Sequence, residues 1–413
     1  MALERTQKEQ TVTDIPTRDA SVHMTNYRRM PVTIVRGEGS RVWDTEGREY
    51  LDFIQGVAVN SLGHANPGLA DMIAKQAHTL MATSNLFYTE ERTRLAELLV
   101  EHSVLDRVFF CNSGAEAIEG AIKIARKWGI QNRQGAYEII STHNSFHGRT
   151  LAAVAATGTP HYREPFGPPM PGFVFVDYND VDQIKAATTP RTCAILLEPI
   201  QGEGGVNVPD ADYLKRVRAW CDEQGILLIL DEVQTGIGRT GTMWAYEQAG
   251  VEPDIMTSAK GLGGGMPIGA VLAKEACAVF EPGDHGSTFG GNSLAVAAAT
   301  YVITQMIEGG VIANAKARGE QLARRLAALE DVSPLVSGQR GAGLLRGLEL
   351  TADVAPEVVM RSLERGLILN PVRPNVVRFM PPLTVTAEEI DRAVEIVGGV
   401  VRDLAVERAS VAR

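Results

Sequence analysis

Short apolar runs alternate with helical patterns through the middle of the chain, from about residue 90 to 280. The runs are RVFFC, YEIIS, FVFV, CAILLEP, ILLILDEV and DIMTSA, and ILLIL is apolar at consecutive positions, as a strand buried on both faces is. Between them lie helical patterns such as AEAIEGAIKIARKWG and ADYLKRVRAWCDEQG. This alternation predicts βαβ units, and therefore an α/β fold with a mostly parallel central sheet covered by helices on both faces.

The two ends of the chain differ from this middle. RVWDTEGREYLDFI predicts a β-hairpin around its turn residues, and a helical pattern that starts at NSLAVAAATYVITQMIEGG continues past ARGEQLARRLAAL into an α+β segment. We therefore expect a large domain over residues 71–295 and a small domain built from residues 25–70 and 296–413. Residues 1–24 are polar and predict a disordered or loosely docked N-terminal arm.

Composition excludes several classes of protein. The 413 residues include 40 basic and 50 acidic side chains and no basic block, which argues against nucleic-acid binding. No apolar run approaches the roughly 20 residues that span a bilayer, and the first residues lack an apolar signal core. We expect a cytoplasmic protein without a membrane or nucleic-acid partner. The cysteines show no C-x-x-C spacing, which predicts core residues and no metal site, and they are Cys111, Cys193, Cys221 and Cys277.

Two polar motifs follow the first two predicted strands, where α/β proteins place ligand-binding groups. Ser113 follows RVFFC and opens a helix, and Glu116 three residues later fits a capping box. The exposed N–H groups of such a helix start suit a phosphate, although the same box also serves an ordinary helix. After YEIIS, the loop SFHGRT at 145–150 combines an aromatic ring, an imidazole and a guanidinium, which could stack on a ring and bind a carboxylate.

Acidic and basic side chains follow the later strands. ILLIL ends at Asp231, LLEPIQGEGG supplies Glu198 and Glu203, and DIMTSAK places Lys260 before a glycine-rich loop. Desolvation lowers the pKa of an enclosed lysine and makes it a nucleophile. A lysine, an acid and an anion-binding helix start are what pyridoxal 5'-phosphate requires for its aldehyde, its pyridine nitrogen and its phosphate. The sequence therefore predicts a site for this cofactor.

From about residue 25 to 400 the chain resembles the class III aminotransferases of PLP fold type I. The blocks that carry the resemblance, in order, are VRGEGSRVWDTEGREYLDF, LGHANP, NSGAEAIEGAIKIAR, SFHGRT, EPIQGEGG, LILDEVQTGIGRTG, AKGLGGGMPIGA, STFGGNSLAVAAA and RFMPPLTVT. The resemblance implies a transaminase that moves the terminal amino group of an ω-amino acid to 2-oxoglutarate by a ping-pong mechanism. The sequences VRGEGSRVWD and STFGGN are most similar to those of members that act on N-acetylornithine.

The resemblance also implies how the cofactor is held. Lys260 would attach it covalently and carry a proton during the reaction. Thr288 of a second subunit would complete the phosphate site, which implies a homodimer with shared active sites. The remaining cofactor residues would be Asp231 at the pyridine nitrogen, Gln234 at the phenolic oxygen, Phe146 stacked on the ring, and Ser113, Gly114 and Ala115 at the phosphate.

Three further residues are implied for the substrates. Arg149 would bind a carboxylate of the amino donor, and Arg378 would bind the α-carboxylate of glutamate and 2-oxoglutarate. Glu203 would pair with Arg378 when the substrate lacks that carboxylate. Such a movable carboxylate allows one site to accept a distal amine in one half-reaction and a distal carboxylate in the other.

Several alternatives stay open at this point. The donor could be ornithine, 4-aminobutyrate or another ω-amino acid, and a mutase such as glutamate-1-semialdehyde aminomutase would share Lys260 and Asp231 but has no need of Arg378. A nicotinamide enzyme would place a glycine-rich loop between a first strand and a helix, whereas GLGGG is followed by Met266, Pro267 and the apolar run IGAVLA. A cofactor-binding scaffold without turnover is disfavoured because the catalytic set is complete.

Overall fold

The computed structural model describes residues 15–411, in which the predicted alternation of strands and helices is present. The N-terminal elements are α1 (Ile15–Val22), β1 (Ile34–Glu38), β2 (Arg41–Asp44), β3 (Glu49–Asp52), α2 (Gln55–Ala58), α3 (Pro67–Thr79) and α4 (Glu90–Glu101). The middle elements are β4 (Arg107–Cys111), α5 (Gly114–Asn132), β5 (Glu138–Thr142), α6 (Leu151–Ala156), α7 (Pro160–Arg163), β6 (Phe173–Val176), α8 (Val181–Ala187), β7 (Thr192–Leu197), α9 (Tyr213–Gln224), β8 (Leu227–Asp231), α10 (Tyr246–Ala249), β9 (Ile255–Ser258) and β10 (Gly269–Ala273). The C-terminal elements are α11 (Ser293–Ile307), α12 (Val311–Ala327), β11 (Val336–Ala342), β12 (Leu345–Leu350), α13 (Ala355–Glu364), β13 (Leu367–Ile368), β14 (Asn370–Arg373), β15 (Val376–Phe379) and α14 (Ala387–Val411).

The central sheet has seven strands in the order β4-β10-β9-β8-β7-β5-β6. Strand β10 is antiparallel to both of its neighbours, and the other pairings are parallel, which confirms the predicted mostly parallel sheet. Alternate residues of β8 enter two different hydrophobic clusters: Leu228 and Leu230 belong to one, and Leu227 and Ile229 to the other. Both faces of the sheet are therefore covered, which explains why ILLIL is apolar at every position.

This topology fixes where ligand-binding residues meet. Because β4, β5, β7, β8 and β9 run in the same direction, their carboxyl ends lie along one edge of the sheet. The predicted functional motifs all follow these strands, apart from those near residues 288 and 378.

Two smaller sheets contain residues from the ends of the chain. The predicted hairpin is confirmed, since β2 pairs with β3 in a sheet of order β1-β2-β3-β13. Its fourth strand, Leu367–Ile368, comes from the C-terminal part and pairs parallel with β3. The other sheet has the order β11-β12-β15-β14. These pairings join both ends of the chain as expected for a small domain, and the domain boundaries themselves stay a prediction.

The helical regions differ from the sequence prediction in one place. The long helical pattern is broken between α11 and α12, where Gly310 has a φ of 71°, a left-handed conformation that suits glycine. The first 14 residues of the predicted N-terminal arm lie outside the described range. The rest of the arm contains α1, which has no buried residue. All four cysteines are buried and form no disulfide.

Within residues 15–411, no single helix is long and apolar enough to cross a membrane. One bent pair of helical segments, Ser293–Ile307 with Val311–Asp331, meets the length and composition criteria when the two are taken together.

Candidate active site

A cavity of about 440 Å³ opens at the carboxyl edge of the central sheet. Its walls come from the loops after β4, β5, β7, β8 and β9. The predicted site residues that line it are Ser113, Gly114, Ala115, Phe146, Arg149, Glu203, Asp231, Gln234 and Lys260. Residues that are up to 147 positions apart in the chain, from 113 to 260, therefore meet around one space.

Lys260 lies just after β9 and has a backbone conformation that is unusual for a lysine. Its φ is 42°, in the left-handed region, and it begins a 3-10 turn that ends at Gly263. Such a conformation costs on the order of 1 kcal/mol and persists only where the surroundings hold it. Burial lowers the pKa of Lys260, and the nearby charge of Arg378 lowers it further, against the opposing effect of Glu203 and Asp231. The amine is therefore more easily deprotonated, and so more nucleophilic, than a free lysine.

The glycines after Lys260 are explained by backbone geometry. Gly264 and Gly265 have φ values of +58° and +120°, which glycine adopts without strain. A Cβ at Gly264 would lie 2.8 Å from a methyl carbon of Val302, whereas Gly265 lines the cavity. The loop needs glycine both to turn sharply and to pack against α11.

Asp231 ends β8 and is almost fully buried, with 4% of its surface exposed. Its Oδ1 accepts hydrogen bonds from the Val233 N–H and the Thr257 hydroxyl, both at 3.0 Å. Its Oδ2 accepts a 2.8 Å hydrogen bond from Nδ1 of His147, which is also buried. Within the described residues, Nε2 of this histidine has no partner. A buried carboxylate fixed in this way is suited to a positively charged ring nitrogen in the cavity.

The pairing of His147 with Asp231 is not apparent from sequence. His147 lies in SFHGRT, where an isolated histidine is most simply interpreted as structural. The two residues are 84 positions apart, and only the adjacency of β5, β7 and β8 brings the loops together.

The N-terminus of α5 forms one wall of the cavity. Ser113 Oγ accepts a 3.2 Å hydrogen bond from the Glu116 N–H, as the capping box predicts. The Glu116 carboxylate accepts a bond of 2.6 Å from the Asn112 N–H, one residue before the expected donor. Gly114 and Ala115 are the first residues of the helix, so their N–H groups have no partner within it. These donors and the helix dipole suit a phosphate.

Aromatic rings and a cation lie at the mouth of the cavity. Phe146 is half-buried, and its N–H donates a 3.1 Å hydrogen bond to Glu198. Arg149 is exposed, and its guanidinium carbon is 3.8 Å from the ring centroid of Tyr162 and 5.4 Å from that of Phe146. Within residues 15–411, Arg149 forms no salt bridge. This cation is thus held by two rings and can still bind a carboxylate.

Arg378 comes from β15 and is 1% exposed. Its Nη1 donates to Glu203 Oε1 at 2.5 Å and to Gln234 Oε1 at 3.0 Å, while Gln234 Nε2 donates to Glu203 Oε1 at 3.0 Å. Glu203 and Gln234 line the cavity, and Arg378 lies behind them. Burial would raise the pKa of Glu203, but the charges of Arg378 and Lys260 and these hydrogen bonds lower it to about 2. The arginine is therefore neutralised by an ionised carboxylate.

One further acidic residue lies in the cavity wall, and one of the predicted site residues lies outside it. Glu198 lines the cavity, and burial together with the charge of Asp231 raises its pKa to about 7, against the opposing charge of His147. Thr288 is exposed and does not line the cavity of its own chain.

The chemistry of these groups defines a class of enzyme. A nucleophilic lysine, a buried carboxylate and a helix start with unpaired N–H groups surround a space large enough for an aromatic phosphate. Pyridoxal 5'-phosphate needs these three partners, and the residues present fit it.

The chain belongs to the class-III aminotransferases. Residues 22–401 match the family model described as Aminotransferase class-III, whose members depend on pyridoxal phosphate. The acetylornithine aminotransferase of Thermosynechococcus vestitus is 54% identical over 383 residues, which cover 90% of this chain and 93% of that protein.

Solved structures support the fold assignment. An ornithine aminotransferase from Toxoplasma gondii, with pyridoxal phosphate at partial occupancy in its active site, superposes with a TM-score of 0.93 at 38% identity and covers 97% of both chains. The N-acetylornithine aminotransferase of Stenotrophomonas maltophilia gives a TM-score of 0.80 at 38% identity, with 94% of this chain and 98% of that chain covered. The chain therefore has the aminotransferase fold of PLP fold type I.

Proposed function

We propose that this transaminase moves the terminal amino group of N-acetylornithine to 2-oxoglutarate, giving a semialdehyde and glutamate. The observation that carries the proposal is the buried Arg378–Glu203 ion pair beside Lys260. A site for a single substrate needs no cation that is already neutralised by a carboxylate at its wall. A site for two substrates does, because 2-oxoglutarate presents a carboxylate to this wall and the donor presents its terminal amine there instead.

In this proposal the ion pair alternates between two states. With Glu203 on Arg378, as in the structure, the wall is neutral and accepts the terminal amine and carbon chain of the donor. When 2-oxoglutarate enters, Glu203 moves aside and Arg378 binds the α-carboxylate through its planar guanidinium. The exposed Arg149 at the mouth binds the carboxylate at the other end of the donor.

Bound pyridoxal phosphate supplies an electron-withdrawing ring that acidifies the carbon bearing the amine. Asp231, held by His147 and Thr257, keeps the positive charge on the ring nitrogen. Gln234 faces the cavity from the same loop and is the proposed donor to the phenolic oxygen. Lys260 would hold the cofactor covalently, and its amine, once free, would carry the proton removed from the substrate carbon.

Similarity to enzymes with different donors makes a donor panel the most informative experiment. We expect N-acetylornithine to give the highest kcat/KM with 2-oxoglutarate, ahead of ornithine, whose free α-ammonium would lie near the Arg149 cation, and of 4-aminobutyrate, whose carboxylate is one carbon closer to its amine. A difference of ~1.4 kcal/mol in these contacts corresponds to about tenfold. Glutamate formation under matched conditions measures the ranking. Ornithine in first place would favour the activity of the Toxoplasma gondii relative, and 4-aminobutyrate in first place would contradict N-acetylornithine as the donor.

We also propose that the enzyme is a homodimer with shared active sites. Thr288 is exposed and does not line its own cavity, and the neighbouring Phe289 is 65% exposed. Leu86, Phe87 and Tyr88 are exposed by 87%, 63% and 102% and lie beside this segment, because the Asn85 amide donates to the carbonyls of residues 287 and 290. An apolar surface of this kind is typical of an interface between subunits.

Sedimentation equilibrium checks this assembly. We expect a mass near twice the 44.5 kDa of one chain at micromolar concentration. Introducing charge at the patch through Phe289→Asp should yield monomers with strongly reduced activity, because each active site would lose the Thr288 of its partner. A fully active monomeric variant would contradict shared sites.

A further inference from the structure

The loop that carries Glu203 is held from outside by two arginines. Residues 202–206 form a closed turn between Gln201 and Asn207, whose backbones exchange hydrogen bonds of 3.1 and 3.0 Å. Inside the turn the carbonyl groups of Gly204 and Gly205 are buried. Buried carbonyl groups need donors, and no helix or sheet partner supplies them in this turn.

The Asn207 side-chain amide, at the end of the turn, donates to the Gly204 carbonyl at 3.1 Å, and the other donors come from the C-terminal sheet. Arg373, the last residue of β14, donates from Nε to the Gly204 carbonyl at 2.7 Å. Arg340, on β11, donates to the Gly205 carbonyl from Nε at 3.1 Å and from Nη2 at 2.8 Å. A Cβ on Gly205 would lie 3.2 Å from Arg373 and 3.3 Å from Arg340, so both side chains pack directly against the backbone.

Arg378 belongs to the same sheet, on β15, which pairs with β14 through Arg373 and Val376. The same sheet therefore carries Arg378, which pairs with Glu203, and the two arginines that donate to the carbonyl groups of the two residues after Glu203. On the inner side of the turn, the Gly202 N–H donates to Glu198 at 3.4 Å.

We infer that Arg373 and Arg340 are positioning residues that hold the turn containing Glu203 next to Arg378. The Glu203 side chain can then rotate while its backbone stays in place. This inference rests on the proposed two-substrate function. We call the hydrogen bonds of Arg373 and Arg340 to this turn the clamp. The donor half-reaction needs Glu203 on Arg378 and so depends on the clamp. The keto-acid half-reaction needs Glu203 to move off Arg378, and it therefore depends far less on the clamp.

The experiment compares the two half-reactions in single turnovers of the holoenzyme. Arg373→Met removes the donors but keeps the length of the side chain, and Arg373→Lys restores one donor. We expect Arg373→Met to lower kcat/KM for N-acetylornithine about tenfold, as the loss of a charged hydrogen bond does, and to change that for 2-oxoglutarate by less than about twofold. Arg373→Lys should recover part of the loss. Arg361→Met, which removes an arginine of α13 that pairs with Glu357 and Glu407, is the matched control and should change neither value.

A double variant separates positioning from general destabilisation. If Arg373 acts through Glu203, adding Arg373→Met to Glu203→Gln should cost nothing further in the donor half-reaction. Additive losses, or equal losses in both half-reactions with no recovery by lysine, would overturn the inference. A wild-type enzyme that rejects N-acetylornithine would instead refute the proposed donor, and the same ratio measured with the best donor of the panel would still test the clamp.

Discussion

Transamination is expected to fall by at least about a thousandfold when Lys260 is replaced by alanine, because in the proposed mechanism this one side chain would supply both the covalent attachment and the proton transfer. Its position supports this double role. Burial lowers the pKa of the amine, and Lys260 lines the same cavity as Glu203 and Asp231. Steady-state kcat with the best donor measures the loss.

Borohydride reduction followed by peptide mass spectrometry gives an independent measurement for this variant. The wild-type enzyme should carry a reduced cofactor adduct on the peptide that contains residue 260, and Lys260→Ala should carry none. Lys274→Ala is a matched control, since Lys274 is a partly exposed lysine paired with Glu252 and should leave both adduct and rate unchanged. An adduct of equal yield on Lys260→Ala would show that another lysine holds the cofactor.

The central sheet was predictable because its signal is local. Each run such as ILLIL is apolar at consecutive positions, and the reason is visible in the structure, where Leu228 and Ile229 enter clusters on opposite faces. The break between α11 and α12 was not predicted. The apolar pattern continues across it. The helix ends because of Gly309 and Gly310, and glycine within a helical pattern is only mildly unfavourable, so the sequence gives a weak signal.

The candidate site was predictable where each functional residue follows a strand. Lys260, Asp231 and Ser113 come at the carboxyl ends of β9, β8 and β4, and the rule for parallel sheets then brings them to one edge. Arg378 and Glu203 were assigned only through family resemblance. Their contact joins the central sheet to the C-terminal sheet, and no local pattern encodes it.

Contacts between loops distant in sequence were missed altogether. The hydrogen bond of His147 to Asp231 depends on the order of three strands, and the clamp of Arg340 and Arg373 depends on the orientation of a separate sheet. An arginine that donates to a carbonyl has no complementary residue type in the sequence, because every residue carries a carbonyl. Such positioning residues can only be found once the chain is folded.

Asp231→Ala is the second change with a very large expected effect, a loss of about a thousandfold in the donor half-reaction. The carboxylate is 4% exposed and accepts hydrogen bonds from His147 and Thr257, and in the proposed mechanism it would balance the charge of the ring nitrogen. Without it the ring nitrogen would lose its proposed anionic partner, and the charge that develops during proton removal would be less stabilised. Stopped-flow measurement of the donor half-reaction, with cofactor saturating, separates this effect from weaker cofactor binding.

Asp231→Asn tests whether charge or shape is responsible, since the amide keeps the size of the side chain and one oxygen acceptor but loses the negative charge. We expect it to be nearly as slow as Asp231→Ala. Asp254→Asn is the matched control, because Asp254 is also largely buried, accepts from the Leu228 N–H at 2.7 Å and pairs with Arg218, yet does not line the cavity. It should lower the thermal stability and leave the half-reaction within about twofold, as expected for a structural ion pair outside the site. A fast Asp231→Asn enzyme would mean that the ring nitrogen works without an ionised partner, and that the buried carboxylate serves only to hold His147.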